Sequence, residues 1–196
     1  MKKHSGIIGI LVLCITSIGI VVFNYRGLSF TVSNHTSYNL VSTISFCILG
    51  TISALLIAYS LLFCLPQKWG LGKAYKIIAG LFSVAFITMC VFPNNPNATT
   101  MHDIGAWSMI YIGLGLIPFL LIRLWGKYNA VLKVINCSVL IIALVLLYAL
   151  AFHYHFMREY ILLFETGYVA LLFTLIISLV LGKPKKEPAI NMEGKA

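Results

Sequence analysis

Three of the chain's five acids, Asp103, Glu159 and Glu165, fall in or beside the segments 24–39, 93–103 and 153–159. Four of its five histidines, His35, His102, His153 and His155, do the same, with Arg158 among them. These side chains have the types that do chemistry. Histidine exchanges protons near neutral pH, carboxylates accept them, and both ligate metals. The plain alternative is that such segments simply collect the polar residues that apolar stretches exclude.

Glu165 is the strongest single candidate, because it stands inside an apolar run, in Leu163-Phe164-Glu165-Thr166-Gly167. An ionised carboxylate in hydrocarbon is costly, so it takes a partner, faces a watery cavity or becomes neutral. Arg158 lies seven residues earlier on a similar helical face, and Arg26, His102 and His153 are the other donors in reach of the same end. A helix-packing ion pair is the structural alternative. His102 and Asp103 open another apolar run. Helix physics alone accounts for Asp103, since first-turn acids favour the positive helix end and Thr99 or Thr100 can cap it. His102 has no such explanation. His153 and His155, two apart, do not share a helical face, so they chelate one ion only if the helix ends between them. No HExxH, GxSxG or paired-carboxylate pattern is present, and the sequence implies neither a metal nor a cofactor.

The elements that position these residues follow from composition. Of 196 residues, 60% are hydrophobic and 10% charged, against roughly 25% charged in a soluble domain. That leaves too little polar surface to cover a water-soluble globule. Six apolar segments stand out: Gly6–Phe23, Leu40–Leu65, Ile77–Phe92, Ile104–Ile122, Ala130–Phe152 and Tyr160–Leu181. A spanning helix needs about 20 apolar residues. The third segment is slightly short and is expected to extend back through Ala74-Tyr75. Runs of this length without alternation exclude a membrane barrel.

The connections alternate in charge. Lys2, Lys3, Lys68, Lys73, Lys76, Arg123, Lys127, Lys133, Lys183, Lys185, Lys186 and Lys195 fall on one side, twelve of the fourteen cations, and Arg26 and Arg158 on the other. The positive-inside rule makes the first side cytoplasmic, with both termini in. The net charge of +9 therefore reads as topology and attraction to anionic headgroups, not as nucleic-acid binding. Membrane lipids are the expected partners, with a lipid or small molecule as a further ligand.

Cys14, Cys47, Cys64, Cys90 and Cys137 all sit in apolar stretches without CxxC spacing, and read as small hydrophobes. Lys2-Lys3 and the following apolar run imitate a signal peptide, but no small-x-small site follows, so an uncleaved first helix is expected. Ser42, Thr43, Ser45, Thr51, Ser53 and Ser60 in the second segment suit close helix packing. The sequons at Asn34 and Asn97 fall in outer connections. No internal repeat is visible. Residues 1–182 form one transmembrane domain and residues 183–196 a short polar tail, expected to be disordered.

Two stretches, Thr36-Ser37-Tyr38-Asn39-Leu40-Val41-Ser42 and Phe92-Pro93 followed by His102-Asp103-Ile104-Gly105-Ala106, carry a resemblance. They resemble the bacterial membrane family labelled "domain of unknown function 998". The first is similar to its polar outer segment ending in Asn-x-x-Ser, the second to its Phe-Pro and His-x-x-x-Ala motifs. Val91 and Asn94-Asn95 stand where a glycine often precedes Phe-Pro and an acid often follows it. A more distant similarity is to the DRAM-related six-helix proteins. The resemblance covers most of the chain. It implies a six-helix layout in a bacterial cytoplasmic membrane, and no established activity.

The expectation is therefore an all-α, polytopic six-helix bundle, N-in and C-in, with a polar outer vestibule. The leading function class is non-catalytic binding of a lipid, small solute or partner there, by Glu165, His102, Asp103, His153, His155 and Arg158. A transporter or channel using Glu165 and the outer histidines is the alternative. A membrane-embedded enzyme with His102 and Asp103 in an acid/base or metal role is the third class. A pump is disfavoured, because Glu165 is alone among the deep positions. The sequence leans away from an enzyme.

Overall fold

The computed structural model describes residues 4–25, 27, 29, 31–37, 39–92, 94 and 99–185. Among them every regular element is helical. In chain order these are α1 (Ser5–Phe23), α2 (Val32–Thr36), α3 (Leu40–Trp69), α4 (Lys73–Val91), α5 (Thr99–Leu124), α6 (Ala130–Phe152), α7 (Tyr154–Glu159) and α8 (Ile161–Leu181). All but the short α2 and α7 are long and apolar enough to cross a membrane, six in number. The protein is an integral membrane six-helix bundle, and an even number of spans puts the start of α1 and the end of α8 on one side.

Exposed surface agrees with that solvent. Ile15, Val41, Val84, Ile122, Val145 and Leu181, on six different spans, all stand exposed. Such a coat is unfavourable in water and ordinary against lipid tails. Around the bundle the spans follow the order α1, α3, α4, α5, α6, α8, with α8 returning to α1. The core between them is aliphatic, built on Ile57, Leu61, Leu116, Leu120, Leu175 and Leu179. Two crossings are close enough to require glycine. A Cβ on Gly9 of α1 would lie 2.7 Å from the Ser53 carbonyl oxygen, and one on Gly105 of α5 would lie 2.7 Å from the Met89 nitrogen. Small residues of this kind let membrane helices approach backbone to backbone.

Boundaries differ from the apolar segments in informative ways. The second segment was expected to end at Leu65, before Pro66, yet α3 runs on to Trp69. A π turn over Ser60–Cys64 makes this possible: the Leu65 N–H bonds the Ser60 carbonyl, five residues back. That wider register carries the chain through a proline that would break an α-ladder. Gly70, with φ 63°, then ends the helix in the left-handed conformation. The third span does extend backward, to Lys73. The fourth starts earlier than expected, at Thr99, because its first turn is polar. Asn39 and Asn129 cap α3 and α6, accepting N–H bonds from Ser42 (2.8 Å) and Leu132 (2.9 Å).

At the lysine-rich inner end, side chains tie helix ends together. Lys68 Nζ donates to the Leu179 and Val180 carbonyls, and Trp69 Nε1 donates to the Leu179 carbonyl at 2.9 Å. Lys127 Nζ donates to the Trp69 carbonyl at 2.9 Å. Cations at helix C-termini complement both the open carbonyls and the dipole. Tyr128 packs edge-on to Trp69, ring centroids 5.6 Å apart, and burial pushes its hydroxyl well above the ordinary tyrosine range.

Candidate ligand site at Glu165

The segment between the first two spans, read from sequence as a plain connection, folds back onto the bundle. Thr31 starts α2: its hydroxyl accepts the Asn34 N–H (3.1 Å), and its carbonyl lies 2.7 Å from His35 Nδ1. His35 is fully buried, with its ring 6.1 Å from that of Tyr25. Thr43 of α3 donates to the Thr36 carbonyl at 3.0 Å, and Asn94 donates to the Asn34 side chain at 2.6 Å. Nearby, Asn39 donates to Asn24 and Asn24 to Ser42, each at 2.8 Å. These bonds seat α2 against α1, α3 and α8.

Seating α2 brings its first N–H to Glu165. The Val32 N–H donates to Glu165 Oε2 at 2.7 Å. First-turn N–H groups have no partner within their own helix, and a buried one needs an acceptor. The carboxylate thus has a polar partner, but none of the side chains expected from sequence. Arg158 is exposed on the neighbouring α7, His102 bonds the Met89 and Phe92 carbonyls, His153 is exposed beside the Tyr148 ring, and Arg26 lies outside the described residues. The sequence could not have named a backbone N–H 133 positions away; only the docking of α2 places it there.

Glu165 also lines a cavity of about 360 Å³ between α1, α3, α4, α5 and α8. Its floor is buried and apolar: Phe46, Phe82, Phe86, Met109 and Leu172. Its rim is different. Ile18 and Val22 of α1 and Leu163, Thr166 and Ala170 of α8 line it and are exposed. α1 and α8 approach at the inner end, where a Cβ on Gly6 would lie 3.6 Å from Ile176, and farther along both helices the cavity-lining residues are exposed. The cavity therefore opens sideways, between the first and last spans, at the level of the membrane. The polar groups on its wall are few: Glu165, Thr166, Ser17 and the Cys14 thiol. The Thr166 hydroxyl donates to its own helix, to the Leu162 carbonyl at 2.7 Å.

The other sequence candidates are dispersed. His102 is buried, and its Nδ1 lies 2.8 Å from the Phe92 carbonyl and 3.0 Å from the Met89 carbonyl. In a continuing helix the Met89 carbonyl would look to residue 93, but Pro93 has no N–H. His102 supplies the missing donor. Asp103 faces the opposite way, exposed, in a shallow recess of about 620 Å³ with Thr100, Trp107, Ser108 and Tyr111. The two neighbours thus point to different environments and do not form a pair. His153 stands exposed at the break between α6 and α7, 5.8 Å from the Tyr148 ring. His155 and Arg158 are exposed on α7, which rests on α6 and α8. Among the described residues no hydrogen bond or ring contact links His102 to His153. α6 ends at Phe152, just before His153, and α7 begins at Tyr154, so a helix break does separate the two histidines, yet among the described residues no three His, Cys, Asp or Glu side chains gather to hold a metal.

Compared with protein-family models, with curated proteins and with solved structures, the chain matches none.

Proposed function

We propose that this protein binds the apolar chain of a lipid-like amphiphile in the sideways-open cavity, with the polar end at Glu165, and catalyses no reaction. The observation that carries the reading is the cavity itself, apolar-floored, open to the membrane between α1 and α8, with one carboxylate on its wall. Ligand sites are typically ~300–1,000 Å³, mostly apolar, with a few polar groups that orient the ligand. The opening admits a molecule already dissolved in lipid, with no passage through water. Transport through the bundle is less well supported, because the floor beneath Glu165 is closed by aromatic side chains and offers no polar path. Catalysis is less well supported because His102, the leading acid/base residue, uses Nδ1 to hold a helix end. The family resemblance remains a proposal, as does the bacterial cytoplasmic membrane it implies.

The test is photolabelling in phosphatidylcholine nanodiscs with a fatty alcohol that carries a diazirine in its chain. Adducts are expected on the α1 and α8 peptides around Ser17 and Thr166. Ala170→Trp, which fills the opening, is expected to abolish them, and Val145→Trp on a lipid-facing surface to leave them. Equal labelling of all exposed spans, unchanged by Ala170→Trp, would rule the site out.

A further inference from the structure

We propose that the amphiphile carries a primary ammonium head, which completes the coordination of Glu165. This rests on the cavity reading above and adds the charge of the ligand. Glu165 Oε2 is engaged by the Val32 N–H, and the other carboxylate oxygen has no partner among the described residues. No described cation reaches it either: Arg158 is exposed on α7, and the lysines cluster at the far, inner end. An acid at membrane depth with an open acceptor is half of an ion pair.

The surrounding wall decides which head fits. Donors near the carboxylate are already in use, the Val32 N–H on Oε2 and the Thr166 hydroxyl on the Leu162 carbonyl. Only the Ser17 hydroxyl and the weakly donating Cys14 thiol line the cavity without a described partner. A phosphate or carboxylate head would therefore meet a like charge with almost no donors to stabilise it. An ammonium brings three N–H donors and the opposite charge. The rest of the cavity takes a single apolar chain. Charge and hydrogen-bond chemistry thus favour a long-chain primary amine over a neutral alcohol or a fatty acid.

Competition against the diazirine alcohol label in neutral phosphatidylcholine nanodiscs tests this, with the full-length protein and dodecylamine, dodecanol and dodecanoic acid as competitors. Dodecylamine is expected to displace the label at about tenfold lower concentration than dodecanol, with dodecanoic acid the weakest. In Glu165→Gln the amine is expected to lose that advantage while dodecanol competes as before. Arg26→Gln is expected to leave the amine preference unchanged. Equal competition by amine and alcohol in the wild type overturns the proposal, as does an amine preference that survives Glu165→Gln. A preference that grows in Arg26→Gln overturns it too, because Arg26 would then be the resident counter-ion. Failure of the alcohol to label or compete at all refutes the cavity reading itself, a distinct result.

Discussion

His102 Nδ1 sits 2.8 Å from the Phe92 carbonyl oxygen, so the first turn of α5 holds the last turn of α4. A carbonyl only accepts, so Nδ1 must carry the proton, and the tautomer is set by the partner. His102→Ala leaves two carbonyls, those of Met89 and Phe92, short of a donor in a partly buried place. It is expected to cost about 1–3 kcal/mol, read as a lower thermal midpoint in detergent. His102→Asn, which keeps an N–H donor, should recover part of the loss. Cavity labelling in the surviving folded fraction should be normal. An unchanged midpoint for His102→Ala would contradict the capping role.

Three residues beyond His102 the same two helices come closest. A Cβ on Gly105 would lie 2.7 Å from the Met89 nitrogen and 2.9 Å from the Ala85 carbonyl oxygen. Both are backbone atoms and cannot turn aside. Gly105→Ala is expected to destabilise by about 1–3 kcal/mol through overpacking. Gly115→Ala, on the same helix with open space around it, is expected to be neutral or slightly stabilising. Folded yield by size-exclusion chromatography compares the two, and equal yields would mean that α4 and α5 cross less closely.

Much of this fold is legible in the sequence, because lipid makes strong demands. The spans follow from apolar length, and the charge of their connections fixes which ends lie together. What was hidden depended on tertiary contacts. Pro66 looked like a terminus, since nothing local announces that a π turn over Ser60–Cys64 will carry α3 past it. Segment 24–39 looked like a loop, since α2 is five residues long and gains its stability from the bundle beneath it. Glu165 was legible as an anomaly, but its donor, the Val32 N–H, has no side-chain signature. The cavity was not legible at all: Phe46, Phe82 and Phe86 sit in ordinary apolar runs, and only packing shows that they leave space.

Orientation is open to direct measurement. Single cysteines at Lys68 and Lys127, in a background without the five native cysteines, are expected to react only from the cytoplasmic side. Cysteines at Asn97 and Arg158 are expected to react only from outside; Asn97 itself lies outside the described residues. Cytoplasmic labelling at residue 97 would reverse the assignment of inner and outer ends.

The inner clamp makes a separate prediction. Lys127 Nζ reaches the Trp69 carbonyl at the end of α3, and a Cβ on Gly70 would lie 3.1 Å from the same nitrogen. Lys127→Met keeps the aliphatic stem and removes the donor. It is expected to cost about 0.5–1.5 kcal/mol and to speed proteolysis between α3 and α4. Lys127→Arg keeps charge and donors, yet its broader head must fit beside Gly70, so it should fall between the two. No change in either variant would mean that the cap contributes nothing to holding α3.

The bond between Val32 and Glu165 separates structure from ligand binding. Glu165→Gln retains a side-chain carbonyl oxygen that can accept the Val32 N–H, so α2 should stay docked. Glu165→Ala removes every acceptor and leaves that N–H without a partner in a partly buried place. The expected cost is about 1–3 kcal/mol, concentrated in residues 31–37 and not spread through the spans. Amide hydrogen exchange reads this directly. Peptides covering α2 should exchange at wild-type rates in Glu165→Gln and several-fold faster in Glu165→Ala, while peptides from α3 and α4 stay protected in both. If the Gln variant loosens α2 as much as the Ala variant does, the negative charge, not the hydrogen bond, holds the outer segment, and Glu165 is then a structural anchor whose charge is already committed.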